Sequence, residues 1–353
     1  MAIYLLLAAG LFMGWSLGTN DAANAFGTAV ATRVVKYRTA VTIIAVLVVT
    51  GAFLQGSGNI DKLAELATSN KVMAGQGEID AALQDSSLME TLRLKSALKA
   101  FIIFACAGLT VFIMSYLKFP VSANQSITGA IIGWGLFHAN YSDPEVLAEN
   151  LPQIGKFAST WILNPLGAGI ISFLLVFLFN RFLADRITTL HSYDKFVKIG
   201  YLVSGAFASY SIGVNSSASV TALYYDANGA NLLTNARLTA VLGGLAIAVG
   251  VLTFSKRVMM TVGSSIAEIS QTDGFLVIIA MAITVLLMEK LMHIPVSTSQ
   301  AVVGAVIGAG LTKGVKKVNF GVFKRIAIAW VSSPTVAGLL TYLVALATQA
   351  YFK

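Results

Sequence analysis

Charged side chains are scarce in this chain of 353 residues, at 11% of the total, whereas hydrophobic side chains make up 56%. Soluble domains carry about 25% charged residues, so this composition excludes an ordinary soluble protein. Apolar stretches of roughly 20 residues, the length that crosses a bilayer, recur from end to end. The stretches between them are too short for a sizeable extramembrane domain. We therefore interpret the chain as an all-α polytopic membrane protein.

Cysteine and histidine are almost absent as well. The only cysteine, Cys106, lies in an apolar segment, which excludes a disulfide framework and a CxxC metal or redox site. The three histidines, His138, His191 and His293, are far apart in the sequence and do not suggest a metal centre. The net charge of +8 comes from loop lysines and arginines without a basic stripe, so no nucleic-acid partner is expected. The N-terminus has no basic region before its apolar residues, so no cleaved signal is expected.

The apolar segments divide into five before and five after a polar loop at 181–198. They cover approximately 1–17, 39–55, 97–117, 121–137, 157–180, 199–213, 236–254, 274–291, 296–311 and 322–348. A repeat of five segments must restart in the opposite orientation, as in many secondary transporters. The sequence thus predicts two inverted repeats, 1–180 and 199–353, joined by a cytoplasmic linker at 181–198. Broken helices or re-entrant hairpins at the midplane would change the number of segments to between eight and twelve.

Lysine and arginine are distributed unequally between the two sides of these segments. Of the 24 in the chain, 15 fall in loops on one side and nine on the other, with the long polar stretch 57–96 contributing to the smaller set. By the positive-inside rule, the larger set is cytoplasmic and both termini lie outside the cytoplasmic (inner) membrane. The stretch 57–96 is then an extracytoplasmic insert, predicted to form amphipathic helices on the outer surface.

One motif occurs twice. Residues 120–136 read PVSANQSITGAIIGWGL and residues 295–311 read PVSTSQAVVGAVIGAGL, identical at 10 of 17 positions. In each copy a serine precedes a glutamine by three residues, the spacing of a capping box, which predicts a helix beginning at that serine. Glycines four residues apart follow in each copy and predict close approach of another helix.

Two further pairs of segments repeat between the halves. Residues 161–175, WILNPLGAGIISFLL, match 330–344, WVSSPTVAGLLTYLV. Residues 15–27, WSLGTNDAANAFG, match 210–222, YSIGVNSSASVTA, and share Ser-x-Gly-x-Asn. We expect the helix to be interrupted at this second pair, because polar residues cluster there between apolar ones.

Asp21 is the sharpest candidate for a functional residue. It follows about 17 apolar residues and is followed by more, which places it inside a membrane segment. An acid there costs several kcal/mol, about 3 kcal/mol on insertion scales, unless it is paired or binds an ion. The alternative, that the first segment ends near Leu17 and the acid lies in a loop, is disfavoured by the matching polar cluster that begins at Gly213. Glu289, in contrast, sits at a segment end near His293, where a solvated or snorkelling role is expected.

The four motifs together supply one acid and many small hydroxyls and amides. They are Asn20, Asp21 and Asn24; Ser122, Asn124, Gln125 and Ser126; Asn215, Ser216, Ser217 and Ser219; and Ser297, Thr298, Ser299 and Gln300. Side-chain oxygens suit a hard cation, with Asp21 as the first candidate ligand, and free N–H groups at helix starts suit an oxyanion. The nucleophile and base that an enzyme would need are missing, so no enzyme activity and no cofactor are expected.

These motifs resemble the signatures of the inorganic phosphate transporter (PiT) family. The resemblance spans the whole chain and implies sodium- or proton-driven uptake of phosphate or a related oxyanion, by inverted repeats and as a homodimer. It implies a phosphate site formed by Asn20, Ser122, Gln125, Ser126, Asn215, Ser297, Thr298, Ser299 and Gln300. It implies sodium, as the coupling ion and the only metal, at Asn20, Asp21, Asn24, Ser122, Asn215, Ser216 and Ser297.

The chain also departs from the family pattern. Ser216 stands where a second aspartate is typical, and Gln125 and Gln300 stand where histidine is common. Glutamates of the animal members are replaced by Val48 and Ile278. Glutamine does not titrate, which favours sodium over a histidine-based proton step.

The leading hypothesis is sodium-coupled phosphate symport by alternating access. The alternative is a sulfate or other oxyanion permease, with or without proton coupling. An ion channel or a membrane scaffold is less favoured.

Overall fold

The structure, a computed structural model, describes residues 2–69, 80, 83–117, 121–138, 144–186, 189–226, 229–261, 269–292 and 294–349. Within these ranges the chain is helical, and its only β contact is an isolated bridge between Tyr225 and Leu233. Pro120, the first residue of the first PVSxxQ motif, and His293, two residues before the second, lie outside the described residues, as do 70–79, 81 and 82 of the insert.

The helices are, in chain order, α1 (Leu7–Ala31), α2 (Tyr37–Gln55), α3 (Ser57–Ser69), α4 (Ser86–Tyr116), α5 (Ala123–His138), α6 (Pro144–Phe182), α7 (Leu190–Ser216), α8 (Ala218–Thr221), α9 (Ala236–Phe254), α10 (Lys256–Thr261), α11 (Gln271–Met292), α12 (Thr298–Leu311) and α13 (Phe320–Thr348). Among the described residues, eight helical stretches are long and apolar enough to cross a membrane, those of α1, α2, α4, α6, α7, α9, α11 and α13. The all-helical membrane architecture predicted from the sequence is confirmed.

The two remaining apolar helices, α5 and α12, are short. They contain 16 and 14 residues, which gives lengths of about 24 and 21 Å at 1.5 Å per residue. The hydrocarbon core of a bilayer is about 30 Å thick, so neither helix crosses it alone. Each is directly preceded by its motif serine, Ser122 or Ser297.

Helix packing pairs equivalent helices of the two predicted halves. Helix α1 packs against α9 while α7 packs against α2, and α5 packs against α13 while α12 packs against α6. Likewise α4 contacts α1, and its counterpart α11 contacts α7. Such reciprocal packing is expected of two halves with the same internal arrangement. The inversion of one half relative to the other, and the boundaries 1–180 and 199–353, stay predictions.

The motif glycines allow the closest of these approaches. A Cβ on Gly304 would lie 2.0 Å from the carbonyl oxygen of Pro165, and one on Gly129 would lie 2.1 Å from that of Pro334. Backbone therefore meets backbone where the PVSxxQ helix of each half crosses the proline-containing helix of the other. The close approach predicted from the glycine spacing is confirmed.

Two expectations need correction. The polar cluster at Gly18 to Asn24 does not interrupt its helix, because α1 runs continuously from Leu7 to Ala31. Its counterpart does break, between α7 and α8 at Ser217. Part of the insert also packs inward, since Ile60 and Leu63 of α3 are buried in the main core.

Candidate functional site

Each PVSxxQ motif caps the helix that follows it. The Ser122 hydroxyl accepts a hydrogen bond from the Gln125 backbone N–H at 3.2 Å, and the Ser297 hydroxyl accepts one from the Gln300 N–H at 3.1 Å. These are the serine halves of two capping boxes. The helix starts predicted from the repeated motif are confirmed at both positions.

The glutamine halves of the capping boxes are not made. Neither polar atom of the Gln125 amide group, nor the Oε1 atom of Gln300, has a hydrogen-bond partner among the described residues, although both side chains are 98% or more buried. The buried hydroxyls of Ser217 and Ser219 also have no partner there. Buried polar atoms are rarely left unpaired in native structures, so these four side chains are candidates to contact a polar ligand.

Hydrogen bonds between the two motifs bring the helix starts together. The Ser299 hydroxyl donates to the Val121 carbonyl oxygen at 2.8 Å, and the Asn124 amide donates to the Val296 carbonyl oxygen at 2.5 Å. Helices α5 and α12 therefore begin at a common point, with their free N–H groups and positive dipole ends close to each other. Two such ends form a favourable environment for an oxyanion.

Asp21 lies beside this point and accepts hydrogen bonds from three side chains. Its Oδ2 accepts from the Thr298 hydroxyl at 2.8 Å. Its Oδ1 accepts from the amides of Asn20 and Asn24, at 3.2 and 3.3 Å. The carboxylate is 2% exposed and has no cationic side chain against it among the described residues. A buried carboxylate beside amide and hydroxyl side chains is a suitable ligand for a hard cation.

The asparagines of the first and third motifs hold the nonhelical residues before the two short helices. The Asn20 amide donates to the Val121 carbonyl oxygen at 3.2 Å. The Asn215 amide donates to the Val296 carbonyl oxygen at 2.9 Å and its Oδ1 accepts from the Val296 N–H at 2.8 Å. Ser216, at the position equivalent to Asp21, accepts only a 3.2 Å hydrogen bond from Asn215. Carboxylate charge is thus present on one side of the site and absent from the other.

All four predicted motifs meet at this site. Ser126 lies in the first turn of α5, where its hydroxyl and its N–H both donate to the Ser122 carbonyl oxygen. The described residues contain no group of three His, Cys, Asp or Glu side chains that could hold a transition metal. The four motifs together are suited to binding a hard cation and an oxyanion side by side.

Comparison with known proteins identifies the family. The model of the phosphate transporter family matches residues 17–341 of this chain. The chain belongs to the phosphate transporter family. This confirms the resemblance found in the motifs, and places the protein among membrane transporters rather than enzymes.

The transporter is similar to its relatives over almost the whole of its own length. A protein of Pyrococcus horikoshii named as a phosphate permease is 28% identical, over 96% of this chain and 95% of the relative. The chloroplastic inorganic phosphate transporter 2-1 of Arabidopsis thaliana is 24% identical, over 96% of this chain and 70% of the relative. A solved structure named as the sodium-dependent phosphate transporter has a TM-score of 0.75 at 22% identity, covering 99% of this chain and 100% of that chain.

Sequence reasoning missed two residues of the transporter near the site. The Asn164 amide donates to the Ser297 carbonyl oxygen at 2.7 Å, and its own oxygen is buried without a partner among the described residues. Its position before Pro165 in the repeated Trp-x-x-x-Pro segment was a usable signal. The Asn59 amide of α3 donates to the Val214 carbonyl oxygen and to Glu289, at 3.0 and 2.9 Å. Glu289 is therefore half-buried and joined to α3, and is less solvated than a segment end suggested.

Asn59→Ala is expected to destabilise the transporter. The substitution removes the donor shared by Val214 and Glu289, and an acceptor left unpaired costs about 1–3 kcal/mol. We expect a lower thermal unfolding midpoint of the purified protein. Asn180→Ala, at an exposed position on α6, is the control and should leave the midpoint unchanged. Equal midpoints for the two variants would show that the Asn59 contacts add no stability.

Proposed function

We propose that this transporter is a sodium-coupled symporter of inorganic phosphate that works by alternating access. The observation that carries the proposal is the 2.8 Å hydrogen bond between Thr298 and Asp21. It joins the candidate cation ligand to the start of α12, where an anion would bind. One contact therefore links the two candidate sites.

This contact suggests how the binding of the two ions is coupled. Without a cation, the negative charge of Asp21 opposes an oxyanion at the helix starts. A sodium ion on Asp21 neutralises that charge and makes phosphate binding more favourable. Linkage requires the effect to be reciprocal, so phosphate should raise the affinity for sodium by the same factor.

We assign the phosphate to the two short helix starts and sodium to the aspartate side of the site. The phosphate ligands are Asn20, Ser122, Gln125, Ser126, Asn215, Ser297, Thr298, Ser299 and Gln300. The sodium ligands are Asn20, Asp21, Asn24, Ser122, Asn215, Ser216 and Ser297. Both polar atoms of the Gln125 amide group and the Oε1 atom of Gln300 are buried without a partner among the described residues, which supports a role in contacting a polar ligand.

The proposed transport cycle uses the two halves. Each short helix packs against a long helix of the other half, so the site lies where the two halves meet. We propose a homodimer in the cytoplasmic membrane with both termini outside, in agreement with the distribution of lysine and arginine. The repeats 1–180 and 199–353 would be the moving units, joined by the cytoplasmic linker 181–198.

The alternative function is transport of sulfate or another oxyanion, with proton coupling. Ser216 favours it, because a site with one carboxylate fewer could accept a different anion or fewer cations.

Uptake into liposomes containing the purified protein distinguishes the two functions. We expect radiolabelled phosphate to enter under an inward sodium gradient, with potassium unable to replace sodium and excess sulfate unable to compete. Sulfate uptake driven by a proton gradient, without phosphate uptake, would favour the alternative. Passive flux of both ions would indicate a channel.

Gln300→Ala is expected to weaken phosphate binding more than sodium binding. The loss of one hydrogen bond to a charged ligand, about 1.5 kcal/mol or more, corresponds to roughly a tenfold higher KM for phosphate. Ser297→Ala should act in the same direction, because the hydroxyl also caps α12. The sodium concentration for half-maximal uptake, measured at saturating phosphate, should change little. Gln55→Ala, exposed at the end of α2, is the matched control. An unchanged KM in both site variants would leave Ser297 with helix capping alone and Gln300 without a role in phosphate binding.

A further inference from the structure

An apolar groove lies on the outer surface of the helix bundle, away from the polar site. It has a volume of about 600 Å³ and runs between α6, α12 and α13. Along α6 it extends from Trp161 to Leu174, and it is closed on the other side by Leu311, Phe320 and Trp330. The 14 residues from Trp161 to Leu174 correspond to about 20 Å of helix.

The groove opens toward the membrane. Ile162, Leu166 and Ile170 line it and are 63%, 58% and 62% exposed. All three belong to a helix long and apolar enough to cross the bilayer. One leaflet is about 15 Å deep, half of the 30 Å hydrocarbon core, so the groove is long enough for an extended acyl chain.

One end of the groove is surrounded by positive charge. The loop from Leu311 to Phe320, two residues that line the groove, carries Lys313, Lys316 and Lys317. The first turns of α13 then add Lys324 and Arg325, directly after the groove residue Phe323. Asp273 pairs with Lys313, at 2.5 Å. Lys316, Lys324 and Arg325 are exposed, so this end presents positive charge next to an apolar channel.

We propose that this groove binds an anionic phospholipid, with one acyl chain between α6 and α13 and the phosphate among the lysines and arginine at the α12–α13 loop. Basic clusters beside membrane helices attract anionic head groups in this way, and this loop lies on the predicted cytoplasmic side. A second copy of the chain fits the groove less well. A symmetric dimer on this face would place two sets of these cations against each other.

The proposal is tested with the full-length protein in detergent, using native mass spectrometry and thermal unfolding with added phosphatidylglycerol or phosphatidylcholine. We expect phosphatidylglycerol to be retained at least tenfold more than phosphatidylcholine and to raise the unfolding midpoint more. The combined variant Lys316→Gln, Lys324→Gln, Arg325→Gln should lose this selectivity. The variant Lys195→Gln, Lys198→Gln, exposed at the start of α7 on the same predicted side, should keep it.

A second variant tests the acyl-chain groove independently of charge. Leu166→Trp fills the groove from its open side, where the larger side chain has room, and should reduce retention of both lipids. Equal retention of the two lipids by the natural protein would overturn the proposal, as would unchanged selectivity in the combined charge variant. A lipid-free dimer that Leu166→Trp converts to monomer would overturn it in favour of a second copy.

Discussion

Asp21→Asn is expected to abolish sodium-dependent phosphate uptake, with initial rates in liposomes at least 100-fold below those of the natural protein. The substitution removes the negative charge proposed to bind sodium. It also places an NH₂ group where one carboxylate oxygen accepts from Thr298 or from the two asparagines. A donor then faces a donor in a buried site, which costs about 1–3 kcal/mol in addition to the loss of charge.

Asp85→Asn is the matched control for this experiment. Asp85 lies outside the membrane helices and caps α4, and hydrogen bonds from Ser87 hold its pKa below the usual value. Its carboxylate is therefore ionised at neutral pH, as required of a control, and uptake should be unaffected by its loss. Both variants should elute as monodisperse protein in size-exclusion chromatography. Sodium-dependent uptake that persists in the Asp21 variant would remove this aspartate from the mechanism.

The sequence predicted the elements of the site because each has a local cause. A serine three residues before a glutamine and an apolar run favours a helix start, and the repeat made both starts visible. Glycines at a spacing of four predicted the helix crossings for the same reason. The aspartate among apolar residues was conspicuous because burying a carboxylate in the membrane is energetically unfavourable. Each of these signals is contained within a few residues.

Features that depend on distant contacts were not predictable in the same way. Helix α1 stays continuous at Asn20 and Asp21 because partners from other segments, Val121 and Thr298, satisfy these side chains without unwinding the helix. The equivalent second cluster, with serines in place of the acid, breaks at Ser217. The bond from Asn59 to Glu289 joins residues 230 positions apart, and no local pattern indicates it.

The reciprocal helix packing connects the fold to the proposed mechanism. Val121 of one half is held by Ser299 of the other, and Val296 is held by Asn124 in return. A substrate at this point contacts both halves at once. Its binding energy can therefore favour one relative position of the halves over another, as population-shift reasoning requires. A substitution that weakens one of these helix crossings is therefore expected to impair transport as well as folding.

Gly308→Ala is expected to destabilise the crossing of α12 and α6 severely. The added Cβ would lie 2.0 Å from the carbonyl oxygen of Gly169 and 2.7 Å from its carbonyl carbon. These are backbone atoms of a long helix, so the overlap is relieved only when the two helices separate. Such overpacking costs about 3 kcal/mol or more, and membrane helix crossings depend on small residues for their contact. We expect a much lower unfolding midpoint and a reduced yield of monodisperse protein.

Gly155→Ala, on the long helix α6 that Gly308 of α12 faces, provides the comparison. A Cβ at Gly155 meets no atom within 4 Å, so replacing a helical glycine there should stabilise by about 0.5–1 kcal/mol. The two substitutions are chemically identical and differ only in the backbone that faces them. Opposite changes in the unfolding midpoint would establish the close contact between α12 and α6. A Gly308 variant as stable as the Gly155 variant would mean that the two helices lie farther apart than the structure places them, and the position of Thr298 beside Asp21 would then lose its support.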